Sequence, residues 1–216
     1  MFSLPLFTFA SSRYIIRVMA QEVNLMEVKE TAKKYKQHEQ LTYADYAGWD
    51  DENRYELIDG RAYMMAAPSV AHQRIAREIL LQLGSHLRDK PCEVFIAPFD
   101  VCLSGRGDDD DTVVQPDIIV ICDKAKLDKK RCNGAPDFII EIVSPSSSSH
   151  DRLTKLNKYL LAGVREYWIV DPDDKGVSVH VLENGKYFVS AHESTETINV
   201  NVLDGCKIVL PDVFSE

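Results

Sequence analysis

The sequence lacks an apolar run long enough to cross a bilayer. Its first nineteen residues, MFSLPLFTFASSRYIIRVM, are interrupted by Pro5, Ser11, Ser12 and Arg13, whereas a spanning helix takes roughly 20 consecutive apolar residues. A secretory leader is not indicated either, because Arg13 and Arg17 follow the apolar stretch instead of preceding it. An over-extended start, with Met19 or Met26 as the true beginning, is one reading of this segment. Cysteine is sparse: Cys92, Cys102, Cys122, Cys132 and Cys206 are an odd number, widely scattered, with no CxxC pair and no histidine pair at zinc-finger spacing. All five are expected to be core or surface thiols, and a reducing cytoplasm is the simplest location. The chain is also short of positive charge. With 25 Lys and Arg against 34 Asp and Glu, the net charge is −9, which argues against a protein that coats nucleic acid through many phosphate contacts. It leaves room for a carboxylate-rich metal site, where a bound cation reverses the local sign. GxSxG is absent, so the serines of SPSSSSHD read as a turn and helix cap, with no nucleophile elbow.

What is present is ordinary for a folded domain. The 216 residues, 45% of them hydrophobic and 27% charged, can bury a full core without a second domain. Residues 1–40 read as a loosely held lead-in, and residues 41–216 as one domain. Thr42 is placed to cap a short helix, YADYAGW, that ends at Gly48. Strand-like runs flank Asp59-Gly60 in RYELIDGRAYMMAAP, a hairpin signal. In VAHQRIAREILLQLGSHLRD, after a capping Ser69, Ile75, Ile79, Leu83 and Leu87 recur every fourth residue and predict a long helix. EVFIA and FDVCL predict two strands. SGRGDDDDT breaks the periodicity and reads as a solvated charge run, since consecutive carboxylates cannot all converge on one ion. VVQPDIIVIC and PDFIIEIVSP are near-continuous apolar runs of the kind found in strands covered on both faces. RLTKLNKYLLAG predicts a helix stopped at Gly163, REYWIVDP another strand, and VSVHVLENGKYFVSA a hairpin turning at Asn184-Gly185. The sum is an α/β fold: a central mixed β-sheet flanked by α-helices.

Two charges interrupt the two most apolar strands: Asp117 in QPDIIVI and Glu141 in FIIEIVS. An unpartnered buried carboxylate costs several kcal/mol, on the order of the effective penalty per buried ion. Each therefore requires a cation, a hydrogen-bond network or a raised pKa. Two such acids from neighbouring strands can share a hard divalent cation, and oxygen ligands favour Mg²⁺ or Mn²⁺ over zinc. Alternation puts Ile139, Glu141 and Val143 on one face and Ile140 and Ile142 on the other. The alternative for each acid is a buried salt bridge or a strand-end position meeting solvent. Asp137 is read in that second way. On the following helix, Asp151, Lys155, Lys158 and Tyr159 lie on related faces, with Asp151 to Lys155 and Lys155 to Tyr159 each at i, i+4 spacing. One lysine can point inward and orient a water, or it can form an exposed helix pair with Asp151.

The succession YELIDG, a helix containing His72, QPDIIVI, EIVSPSS, DRLTKLNKY and GVREYWIVDP resembles the Uma-type restriction endonuclease family of the PD-(D/E)XK superfamily, from about Leu41 onward. The resemblance implies a restriction endonuclease-like core and a metal-dependent endonuclease acting on DNA. Pro116-Asp117 matches the PD half-motif and Glu141 the second acid. The usual lysine position, two residues after that acid, holds Val143, and Lys155 in the DRxxK run matches a lysine displaced onto the helix, with Lys158 as the fallback. Glu56 in YELIDG matches an additional metal-site carboxylate, and a strand-edge salt bridge competes with that role. The Ile142 carbonyl is a further expected ligand. His72 and Tyr159 are expected accessory residues, His72 toward phosphate or water or else in capping or packing. Superfamily members often act as homodimers. Two other classes stay open: a noncatalytic nucleic-acid or protein interaction module on the same fold, and a different metal-dependent phosphohydrolase.

Overall fold

The computed structural model describes residues 40–143 and 149–215, with only the backbone for 149–152. The lead-in reading of residues 1–40 therefore lies almost wholly outside the described residues, as do the start-codon reading, the serine-run cap and the side chain of Asp151. Helix α1 (Tyr43–Tyr46) starts at Thr42 with a reciprocal capping box to Asp45. Strands β1 (Tyr55–Ile58) and β2 (Arg61–Met64) form the expected hairpin. Both turn residues have positive φ, 51° at Asp59 and 70° at Gly60. Gly60 is required there twice over, since a Cβ would also lie 3.0 Å from the Leu41 backbone nitrogen. Helix α2 (Val70–Leu87) begins at Ser69, whose side chain accepts the His72 N–H, and buries His72, Ile75, Ile79, Leu83 and Leu87.

Next come β3 (Glu93–Ile96), β4 (Asp100–Cys102), β5 (Val113–Val114), β6 (Ile118–Ile121), β7 (Arg131–Asn133) and β8 (Phe138–Ile142). Helix α3 (Ser149–Ala162) follows, ended by Gly163 at φ 84°. The chain then forms β9 (Glu166–Asp171), β10 (Gly176–Glu183), β11 (Lys186–Glu193), β12 (Thr197–Asn199), β13 (Lys207–Val209) and α4 (Leu210–Val213). The turn from β10 to β11 has positive φ at Asn184 and Gly185, as that pair predicts.

Among the described residues the strands form three sheets. A six-stranded one has the order β11-β10-β9-β8-β6-β3, a five-stranded one β2-β1-β5-β4-β7, and β12 pairs with β13. The six-stranded sheet is mixed, because β8 and β9 run parallel and the other pairs antiparallel. The expected mixed sheet is thus present as the six-stranded one, and a second, five-stranded sheet stands beside it. VVQPDIIVIC looks like one strand, yet Gln115-Pro116-Asp117 breaks it, leaving β5 in one sheet and β6 in the other. EVFIA and FDVCL likewise separate into β3 and β4 of different sheets.

The site is positioned by the two faces of the six-stranded sheet. Ile118, Phe138, Ile140, Ile142 and Trp168 pack with the buried stripe of α2. Ile119, Ile139 and Tyr167 pack with Tyr159 and Leu156 of α3 and with Val101 and Val114 of the second sheet. Strand alternation then directs Glu141 into the layer shared by α3 and the five-stranded sheet.

Three smaller readings are corrected. Cys92 and Cys122 form a disulfide. Cys92 precedes β3 and Cys122 follows β6, one step beyond the Glu93–Ile121 pair of an antiparallel ladder, so a 30-residue separation conceals neighbouring positions. Cys102, Cys132 and Cys206 are free and buried. Asp110 is fully buried rather than solvated and accepts the Thr112 and Arg106 backbone N–H groups. Asp137 is buried too, bonded to the Cys122 N–H and paired with Arg165. No helix among the described residues is long and apolar enough to cross a membrane.

Candidate active site

The two anomalous acids meet where the strands of the central ladder end. Ile118 pairs with Ile140, so continuing the antiparallel register by one residue sets Asp117 across from Glu141. Asp117 anchors itself there: its Oδ2 accepts the Ile142 backbone N–H at 2.7 Å. Glu141 reaches toward α3, where its Oε1 accepts the Lys155 ammonium at 3.0 Å and the Tyr159 hydroxyl at 2.6 Å. Lys155 is shared, since its Nζ also donates to Glu56 Oε1 at 2.9 Å. One lysine from α3 therefore ties a carboxylate of the six-stranded sheet to a carboxylate of the five-stranded sheet.

His72 closes the arrangement from the α2 side. Its Nε2 lies 3.1 Å from Asp117 Oδ2, with the imidazole almost fully buried. Of the sequence-predicted residues, Glu56, Glu141, Lys155 and Tyr159 form one bonded cluster, and Asp117, His72 and the Ile142 backbone form a second beside it. Lys158 stands apart on the rim, paired with Asp59 of the β1–β2 turn. Lys155 and Lys158 sit three residues apart on α3 and match Glu56 and Asp59, three apart along the hairpin, so the helix is clasped to the second sheet at two points.

The electrostatics follow from crowding three carboxylates into a largely buried layer. Burial pushes the Glu141 carboxyl up to about 7, and nearby Asp117 and Glu56 add to this against the opposing pull of Lys155. For Lys155, burial favours the neutral amine, but Glu141 and Glu56 together outweigh it and hold the ammonium well above the ordinary lysine range. Tyr159 is likewise pushed far up, mainly by burial and then by Glu141, so its hydroxyl stays protonated and donates. His72 is depressed by burial yet ends above its usual value because Asp117, Glu141 and the Ile142 backbone favour the protonated ring.

Sequence reasoning missed Gln115. It is buried, its backbone N–H donates to Glu56 Oε1 at 2.8 Å, and its side chain bonds Arg54, Tyr46 and Asp100. Its place directly before Pro116-Asp117 was the available signal.

Residues 38–211 match the model of a family described as Uma2, putative restriction endonuclease. The chain belongs to the Uma2 family. Two relatives from Synechocystis are uncharacterized proteins. Slr1290 is 21% identical over 164 residues, spanning 74% of this chain and 84% of its own. Sll1609 is 23% identical over 136 residues, spanning 61% and 75%. Among solved structures, a putative nuclease belonging to DUF820 from Anabaena variabilis superposes with a TM-score of 0.66 at 20% identity, covering 81% of this chain and 97% of that one. The Uma2 chain thus has the restriction endonuclease-like fold.

No group of three or more His, Cys, Asp or Glu side chains is gathered at metal-holding distance among the described residues. Glu56 and Glu141 converge on Lys155, and Asp117 lies beside them on His72 and the Ile142 N–H. The donor chemistry nonetheless suits a hard divalent cation. Asp117 Oδ1 and Glu141 Oε2 accept no hydrogen bond from described residues, and the mutual repulsion that raises Glu141 is what an added cation relieves.

Proposed function

We propose that this Uma2 protein is a metal-dependent endonuclease that hydrolyses phosphodiester bonds of DNA. The observation carrying this reading is the placement of Asp117 and Glu141 across one ladder with Lys155 bonded to Glu141. Asp117, Glu141 and the Ile142 carbonyl would hold Mg²⁺ or Mn²⁺, with Glu56 assisting. A divalent cation bound there supplies Lewis-acid polarisation of the phosphoryl oxygen and offsets the charge of the transition state.

The remaining work falls to the chain itself. Lys155 keeps its proton under the field of two carboxylates and offers an ammonium donor to the attacking water and to the negative charge carried by the phosphoryl oxygens. Tyr159 fixes Glu141 Oε1, leaving Oε2 directed by a carboxyl group that cannot rotate freely. His72 and the Ile142 N–H together hold Asp117 Oδ2, so only Oδ1 is left for a ligand. Their partial burial between the sheets strengthens each of these interactions. A homodimer would present two such centres to the two strands of a duplex.

Nicking of supercoiled plasmid with Mg²⁺ or Mn²⁺, run beside Asp117→Ala and Lys155→Ala, tests the proposal. The wild type should nick and both variants should fall by about a hundredfold or more, the scale of losing a transition-state electrostatic group. Equal cleavage by all three proteins would assign the activity to a contaminant. Single-stranded DNA and RNA in parallel reactions separate DNA from other phosphodiester substrates.

A further inference from the structure

Arg54 immediately precedes β1 and lies two residues from Glu56. Its Nε and Nη2 donate to one acceptor, Gln115 Oε1, at 3.0 and 2.7 Å. That acceptor is a neutral amide. No carboxylate of the described residues lies at ion-pair distance from Arg54, whereas Lys155, Lys158, Arg106, Arg131 and Arg165 are each paired with acids. The guanidinium is partly exposed and permanently charged, and two of its five N–H groups are spoken for. In a chain of net charge −9, it is a cation held still but not neutralised, beside a cluster of acids.

Gln115 is built to hold it that way. Nε2 donates to Tyr46 Oη and to Asp100 Oδ1, both at 2.8 Å, so with Arg54 on Oε1 all four hydrogen-bonding positions of the amide are in use. Asp100 can only accept and Arg54 can only donate, so the amide has one orientation. The same residue's backbone N–H holds Glu56 at 2.8 Å. One residue therefore fixes the cationic fork relative to the carboxylate that Lys155 shares with Glu141. A planar fork with spare donors, oriented by a neutral group, suits a phosphate oxygen pair.

We propose that Arg54 is a substrate-binding residue that contacts a backbone phosphate of the nucleic acid next to the one cleaved, with Gln115 as its positioning residue. This rests on the nuclease reading of the carboxylate site. The test is fluorescence anisotropy of a labelled duplex oligonucleotide, with Ca²⁺ replacing Mg²⁺, over a range of salt concentrations. Arg54→Gln should bind about tenfold more weakly, and its log K against log salt should be shallower by about one ionic contact. Arg54→Lys should restore the slope while leaving affinity below wild type, because an ammonium keeps the charge and loses the fork. An Arg54→Gln protein that melts earlier but keeps the wild-type slope would make the residue merely structural and overturn the inference. Wild-type and Arg54→Gln proteins that bind alike would overturn it as well, leaving the nuclease reading intact. A wild type that binds neither duplex, single strand nor RNA would overturn both.

Discussion

Replacing Lys155 by methionine should destabilise the protein in proportion to pH. Its ammonium, 17% exposed, holds Glu56 at 2.9 Å and Glu141 at 3.0 Å. Removing one partner of a buried ionic cluster costs about 3–5 kcal/mol because charges are left without compensation, and partial exposure places this case at the low end, about 3 kcal/mol. The carboxyl groups have an escape, which is protonation. Glu141 already titrates at about 7, through burial first and then Asp117 and Glu56, with Lys155 opposing; without Lys155 its folded value rises further. An unfolded glutamate titrates near about 4.3. Between those values the folded state holds a proton that the unfolded state has released, so stability falls as pH climbs through the window. Wild type and variant share that fall up to about pH 7, so the gap between them should be smallest below about pH 7 and widen as pH rises above it, where wild-type Glu141 has ionised beside Lys155. Urea unfolding at several pH values, with unchanged m, measures it. Adding Glu141→Gln to the variant should recover part of the loss at high pH. A gap under about 1 kcal/mol at pH 8, or one that is the same at every pH, would refute the reasoning.

The other expectations concern single groups. Tyr159→Phe deletes the 2.6 Å bond to Glu141 and should cost about 1–2 kcal/mol in urea melts, near the value of a bond to a charged group. Lys158→Ala removes a rim pair with Asp59, whose side chain is 64% exposed, and should change stability by less than about 1 kcal/mol, with cleavage far less affected than in Lys155→Ala. His180 is buried against Tyr167 and Tyr187, with no partner for either ring nitrogen among the described residues. Burial pushes its pKa down, so the unfolded chain takes up a proton that the folded chain refuses. Stability is then fully present above the ordinary histidine range and lost as pH falls through it; His180→Phe should flatten that acid-side slope in thermal melts.

Much of this architecture was readable because local chemistry and tertiary structure agree. Asp59-Gly60 and Asn184-Gly185 turn where such pairs favour positive φ, and the four-residue repeat from Ile75 to Leu87 is the buried stripe of α2. Charged residues in otherwise apolar strands drew attention to Asp117 and Glu141. That signal has limits. Glu166 in β9 is more deeply buried than either, yet its oxygens are consumed by Trp168, Asn201 and the Val202 N–H, so it is a structural anchor. Pattern could not show that Gln115-Pro116-Asp117 passes the chain between two sheets, because both flanks are apolar. Strands of two or three residues such as β5, β7 and β12 carry too little period to see. The Cys92–Cys122 bond and the grip of Gln115 on Glu56 are long-range consequences of register, which composition does not encode.

Calorimetric titration of Mn²⁺ into the wild type, Asp117→Ala and Glu141→Gln tests the central claim most directly. Saturable binding by the wild type that both substitutions abolish, and that strengthens with pH up to about 7 as Glu141 gives up its proton, is the result expected. Binding that survives in both variants, or a wild type that takes up no cation at any pH, would contradict it.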